Sequence, residues 1–255
     1  MNRDKSVFFS MVFAITVVAV PLSCGAQGQT GGSQKPAAAK EEPKEKQPTG
    51  YVPPMRGAVS QVRRVGGATR GWGDVELPLT VAIAPDHTGL TMNPAPTLYW
   101  YLSLPTSSTV VVTVIEEDAV TPLVEHEVRP TGAAEFQRFA LREHGVSLKP
   151  DTDYEWSVAI VVDPLERSRD VIALGSIRLV QGGPELKLRA QELGNEDFGM
   201  IYAQSGLFYD AFDVLSRTIQ SSPSLVRPRA LRRALLEQVA LPEVAAVDAD
   251  PVAGK

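Results

Sequence analysis

One cysteine, Cys24, serves all 255 residues. A single thiol excludes an intramolecular disulfide and any zinc site built on several thiolates, so the folded part must stand on its core. Histidine is nearly as scarce. His87, His126 and His144 lie far apart in the chain and form neither an H-x-x-x-H nor an H-E-x-x-H spacing. No Walker loop, dinucleotide fingerprint or G-x-S-x-G is present; the nearest Ser-Gly, Ser205-Gly206, falls in a helical turn instead of a strand-to-helix elbow. No catalytic residue, metal or cofactor is therefore assigned from the sequence. Positive charge is also short: 25 basic against 30 acidic residues leave a net charge of -5. That balance argues against nucleic acid as the main partner, because duplex binding rests on neutralising phosphates with a positive surface.

Residues 27 to 50 lack every aromatic and branched aliphatic side chain. A segment that cannot bury apolar surface cannot offset the entropy of ordering, and this one reads as a disordered linker. It follows an N-terminal segment, 1–26, with Arg3 and Lys5 ahead of an uncharged apolar run from Val7 to Val20. The run is short for a membrane span and is followed by small residues, the pattern of an export signal. Leu22-Ser23-Cys24-Gly25 resembles a lipoprotein box, in which Cys24 would take a diacylglycerol, although Pro21 stands where that pattern wants an aliphatic residue. The competing cut lies after Ala26 and discards Cys24. The expected location is the periplasm, the membrane surface by a lipid anchor at Cys24, or the medium.

With 44% apolar residues the chain has enough material for a sizeable core. From residue 76 to 181 the pattern is of short β-rich runs separated by Pro, Gly and Asp. The strands predicted are Leu77 to Ala84, Thr97 to Leu104, Val110 to Glu116, Leu123 to Arg129, Phe136 to Leu141, Tyr154 to Val162 and Val171 to Val180. Seven short strands at this spacing point to an antiparallel sandwich. In YEWSVAIVV, Tyr154, Trp156, Val158 and Ile160 share one face. Leu148 to Tyr154 reads L-x-P-x-T-x-Y, similar to the corner of fibronectin type III modules, where the tyrosine hydrogen-bonds back across the crossover. Tyr154 is accordingly given a structural role.

After Gly182-Gly183-Pro184 the period becomes helical. Glu185 to Leu193 is a short helix candidate. Residues 197 to 223 resemble a tetratricopeptide unit, with Gly199, Tyr202, Gly206, Phe208, Ala211, Leu215 and Pro223 at its small, aromatic and terminating positions. Gly206 is expected to permit close helix approach and Ala211 to sit at the crossing. One such unit cannot bury its apolar face alone. Leu231, Leu235, Leu236 and Val239 supply a stripe for it to pack on, completing a helical hairpin region over 185–241. Residues 242–255 read as a frayed tail. The expected fold is an all-β immunoglobulin/fibronectin-III-like sandwich followed by a C-terminal tetratricopeptide-like helical hairpin.

Several separated motifs, VPPMRG (52 to 57), GGATRG (66 to 71), LTVAIAPDHTGLT (79 to 91), PTLYWYL (96 to 102), YEWSVAIVVDPLERSRD (154 to 170) and YAQSGLFYDAFDVL (202 to 215), resemble in order and spacing an exported bacterial family catalogued as domain of unknown function 928. Where that family usually has a cysteine before Asp-Pro this chain has Val162, and where it often has a tryptophan in the last strand it has Ser176. These departures argue against an essential thiol or indole there. The resemblance implies no activity.

Four places concentrate charge. The lead-in segment, 51–75, carries Arg56, Arg63, Arg64 and Arg70 among glycines, with Trp72 beside them. It lacks the lysine and hydroxyl of a phosphate loop, so the arginines either reach sheet-edge carbonyls and acids such as Asp163 and Glu166, or bind an anion or partner. In VVDPLERSRD, Asp163, Glu166 and Asp170 interleave with Arg167 and Arg169, as expected of ion pairs that hold a turn. Glu116-Glu117-Asp118 reads as a solvated hairpin tip. Asp86-His87 is an acid-base pair with no visible nucleophile and no third group to orient the imidazole. These features favour a non-enzymatic envelope protein whose partner is another envelope protein. A module for an anionic or sugar polymer is the alternative, and a hydrolase using Asp86 and His87 the remote one.

Overall fold

The protein is described by a computed structural model that covers residues 50–54, 63–67, 77–130, 135–182, 186 and 195–247. The expected export signal, the linker up to residue 49, Arg56, Arg70 and Trp72 lie outside these residues, as does the helix candidate at 185–193 apart from Leu186.

Among the described residues nine strands form two mostly antiparallel sheets, and four helices make a C-terminal helical part. In the first sheet the order is β1 (Val65–Gly66), β2 (Thr80–Ala82), β4 (Thr97–Leu102), β7 (Phe136–Ala140). In the second it is β3 (Gly89–Thr91), β9 (Val171–Leu179), β8 (Asp153–Ile160), β5 (Val110–Glu116), β6 (Val124–Val128), with β3 and β9 parallel. All seven predicted runs hold a strand. The two that the sequence reading omitted, β1 and β3, are two and three residues long, too short to display an alternation.

Alternation decides burial in the second sheet. Tyr154, Trp156, Val158 and Ile160 are buried, while Glu155 on the opposite face is exposed. Strand β4 is apolar on both faces for a different reason on each. Leu98, Trp100 and Leu102 join the cluster shared by both sheets. Tyr99 and Phe136, from the other face, meet the Phe212 ring of the helical part with centroids 5.1 and 5.7 Å apart. The outer face of the first sheet at β4 and β7 is thus covered by a helix, where a lone sandwich would leave it wet.

The helices are α1 (Asn195–Gln204), α2 (Phe208–Ser221), α3 (Val226–Gln238) and α4 (Pro242–Val247). Helix α2 buries Phe208, Ala211, Phe212, Leu215 and Ile219, a stripe at helical spacing. Two expectations are corrected here. The helical pair over 197–223 and the apolar stripe at 225–241 stand as α1, α2 and α3, whereas residues 242–247, read as a frayed tail, form α4 with Val244 and Ala245 buried. Apolar Val244 and Ala245 follow Pro242, a good first helical residue, and their burial outweighs the shortness of the helix. Gly206 also differs from its expected role. It takes φ 76° in the α1–α2 turn, and a side chain there would come within 3.0 Å of the Val52 carbonyl. The glycine that permits close helix approach is Gly199, where a Cβ would meet Leu215 at 2.6 Å.

Candidate functional site

The lead-in segment is bound to its own domain wherever it is described. Tyr51 N–H donates to Gln238 Oε1 on α3 at 2.6 Å, and Val52 N–H to the Ala203 carbonyl at the end of α1 at 3.1 Å. Arg64 Nη1 donates to the Val239 carbonyl at 2.5 Å and to the Ala84 carbonyl at 3.2 Å. A guanidinium at the end of α3 meets the partial negative charge of the helix C-terminus. Arg64 thus reaches a carbonyl at a helix end and one in the stretch just after β2, with neither Asp163 nor Glu166 as its hydrogen-bond partner. Arg63 is exposed, its Nε donating to the Val65 carbonyl at 3.3 Å. Its own carbonyl accepts from Leu174 N–H of β9 while the Arg64 carbonyl accepts from Ala82 N–H, so this short stretch joins both sheets.

Asp86 and His87 do have a third group. Asp86 Oδ1 lies 2.9 Å from His87 Nδ1, and the Tyr51 hydroxyl 2.7 Å from His87 Nε2. With the carboxylate accepting from Nδ1–H, Nε2 is the acceptor of the Tyr51 O–H. The His87 hydrogen bond holds the Asp86 carboxyl below its usual range. Burial pushes the Tyr51 hydroxyl up, which keeps its proton in place. The arrangement works as a strap: the Tyr51 ring stacks on His87 and meets Phe208 of α2 edge-on. The sequence gives no signal for it, since Tyr51 lies 36 residues from His87.

The turn at 163–170 is closed internally. Asp163 Oδ1 accepts from Leu165 N–H at 2.9 Å, Arg167 Nε donates to Asp170 at 2.6 Å, and Arg169 Nη1 to Glu166 at 3.2 Å. Tyr154 is buried, and its hydroxyl accepts from Lys149 N–H at 3.1 Å across the corner preceding β8. Ala211 is fully buried. His126 and His144, distant in sequence, bring their rings to 4.4 Å beside Phe139. Among the described residues no group of three or more His, Cys, Asp or Glu could hold a metal ion.

The Glu116-Glu117-Asp118 tip is more than a solvated turn. It walls a cleft of about 380 Å³ together with Thr88, Ile115, Ala119, Asp153, Tyr154, Glu155 and Ser176. Register explains the assembly. Ile115 pairs with Glu155 and Glu155 with Ser176, so three adjacent strands place these residues in one row on the face turned away from the shared core. Five carboxylates line the cleft. Lys149 pairs with Glu116 at 2.8 Å, and Arg178 holds Asp153 with two hydrogen bonds. Glu117, Asp118 and Glu155 have no cation within ion-pair distance among the described residues. Ser176 lies in the floor, 7% exposed, and its Oγ has no hydrogen-bond partner among the described residues. Alternation along β8 makes Asp153 and Glu155 outward-facing from sequence alone, but the cross-strand register that gathers the others is not legible there.

The family model Domain of Unknown Function (DUF928) matches residues 65–249, and the chain belongs to that family. No curated protein matches. Among solved structures a similar one is the crystal structure of an engineered protein, 13% identical, with a TM-score of 0.28, over 40% of this chain and 20% of that one.

Proposed function

We propose that the protein is an exported, non-enzymatic binding module of the cell envelope, and that it engages another envelope protein through the acidic cleft on the second sheet. The observation that carries this reading is the cleft itself: a concave site of small-ligand size in which three carboxylates have no cation of their own. Val120, 95% exposed, stands beside its wall and gives a partner an apolar contact next to the charged ones. Anion binding by the lead-in arginines is less favoured, because Arg64 spends its guanidinium on two internal carbonyls. A hydrolase at Asp86 and His87 is less favoured too, because the one hydroxyl on the imidazole is the buried Tyr51 phenol.

An immunoglobulin/fibronectin-III-like sandwich is supported by the Tyr154–Lys149 bond, and a tetratricopeptide-like α1–α2 pair by the Gly199–Leu215 contact and the buried Ala211. Export, with Cys24 as a lipid anchor or discarded, rests on the apolar run Val7 to Val20. No helix among the described residues is long and apolar enough to cross a membrane.

Photo-crosslinking tests the reading. A benzoylphenylalanine at exposed Ala119 in the cleft wall should trap a discrete protein adduct in intact envelopes. The same group at Leu165, 96% exposed in the turn beyond the far end of β8, should not. Equal adducts from both positions, or none from Ala119, would contradict it.

A further inference from the structure

We infer that His126 and His144 form a two-imidazole site for a late first-row divalent metal ion, Cu2+ ahead of Ni2+ and Zn2+, where the end strands of the two sheets meet. The site is separate from the acidic cleft and uses none of its residues. Register brings His126 there. It pairs with Val112 of β5, whose side chain is fully buried in the shared core, so alternation turns His126 to the core side of β6 and Glu125 and Glu127 away from it. Strand β6 ends the second sheet and β7 ends the first. His144 reaches the same place from the first sheet, as the last residue of the single 3-10 turn Leu141–His144 that follows β7. Phe139 of β7 joins them: its ring stacks on His144 with centroids 4.1 Å apart and lies 5.8 Å from His126. Both histidines are exposed, so an ion can reach them from water.

Free lone pairs and spacing point to a metal. Neither imidazole hydrogen-bonds to a described residue, whereas both ring nitrogens of His87 are engaged, by Asp86 and Tyr51. Each neutral ring therefore offers an unused nitrogen acceptor. Stacking holds His144 by its face, and a metal binds in the plane of the ring, so Phe139 orients the imidazole without covering its nitrogens. A metal–nitrogen bond of about 2.0 Å sets each ring centre about 3.1 Å from the ion. Two imidazoles at right angles around a tetragonal ion then have centres about 4.4 Å apart, against about 5.1 Å at the tetrahedral angle of zinc. The centroids of His126 and His144 are 4.4 Å apart, with the rings tilted by 55°. Affinity for nitrogen ligands also peaks at Cu2+ in the first-row series. No third His, Cys, Asp or Glu completes the set among the described residues, so water takes the remaining positions. Mg2+ and Ca2+, which call for oxygen ligands, have no place there.

Isothermal titration of the full chain with Cu2+, Ni2+, Zn2+ and Mg2+, in a buffer that does not coordinate metals, tests this beside His126→Ala and His144→Ala. Cu2+ is expected to bind most tightly and Mg2+ not at all. Each variant keeps one imidazole and loses the chelate, so either should weaken Cu2+ binding at least about tenfold. Cys24→Ser removes the one thiol and should leave the affinity unchanged. Electron paramagnetic resonance of the Cu2+ complex should show two coupled imidazole nitrogens in the wild type and fewer in each histidine variant. Circular dichroism establishes that the variants fold, and bound Cu2+ should raise the melting temperature of the wild type more than that of either histidine variant. Weakened binding in both histidine variants, with the loss of a coupled nitrogen, supports the site. No Cu2+ binding by the wild type, affinity lost in only one histidine variant, or affinity lost in Cys24→Ser and kept in both histidine variants, overturns the inference.

Discussion

The Trp156 indole N–H donates to the Tyr209 hydroxyl at 2.8 Å, and that hydroxyl donates onward to the Ser176 carbonyl at 2.9 Å. One side chain of α2 thereby fixes two adjacent strands of the second sheet, directly beneath the acidic cleft. Tyr209→Phe leaves the indole N–H buried without its acceptor and removes the side-chain donor from the Ser176 carbonyl. The expected cost is about 2 kcal/mol, a fall in melting temperature of roughly 4 to 8 °C for a chain of this size. An unchanged melting temperature would show that the helical part does not support the sheet in this way.

How legible such ties are in the sequence depends on their range. The alternation in YEWSVAIVV and the stripe of α2 are local patterns, and both elements stand where they are read. The double-sided apolar character of Thr97–Leu102 marks a covered strand, yet it does not say that helices do the covering on one side. Pairings such as Trp156 with Tyr209, Tyr51 with His87 and Glu155 with Ser176 join residues from different elements, where no spacing rule operates. The candidate site is built from those, so the sequence shows its carboxylates without showing that they share a cleft.

Burial pushes the Asp210 carboxyl in α2 up to about 6, even though Met92 N–H donates to it at 2.9 Å. The folded value lies above the ordinary 3.8, so between those two values the folded chain holds a proton that the unfolded chain has lost. Stability from this group is therefore present at low pH and is lost as pH rises through about 6. Asp210→Asn keeps an acceptor for Met92 and carries no charge. Denaturant titrations should find the variant gaining about 3 kcal/mol on the wild type as pH goes from below 3.8 to above 6. A constant difference would remove Asp210 as a source of pH dependence.

Tyr51 holds the lead-in segment by its ring, its N–H and its hydroxyl. Tyr51→Phe deletes only the hydroxyl bond to His87, an expected loss of about 1 kcal/mol. His87→Ala deletes the stacked ring as well and should cost more. Both should speed proteolysis next to Tyr51, and urea titration with timed digestion checks the order. A Tyr51→Phe variant indistinguishable from wild type in both assays would show that the strap contributes nothing.

Gly206 stands at φ 76°, which is strained for any residue with a Cβ, and faces the Val52 carbonyl. Gly206→Ala should destabilise the chain by roughly 1 to 3 kcal/mol. Because the clash is with the lead-in, proteolysis there should rise together with the loss of stability measured by thermal melting. Lost stability without faster cleavage would assign the cost to backbone strain alone.

The proposed binding of a partner by the outward face of the second sheet rests on its carboxylates. Its most direct measurement is the crosslinking yield from Ala119 in envelopes, compared between wild type and Glu155→Lys, which reverses charge at an exposed position without touching the core. The account predicts a discrete adduct in the wild type that falls at least about tenfold in the variant, since a like charge facing a cationic partner adds repulsion to the lost contact. An adduct of equal yield in Glu155→Lys would contradict it.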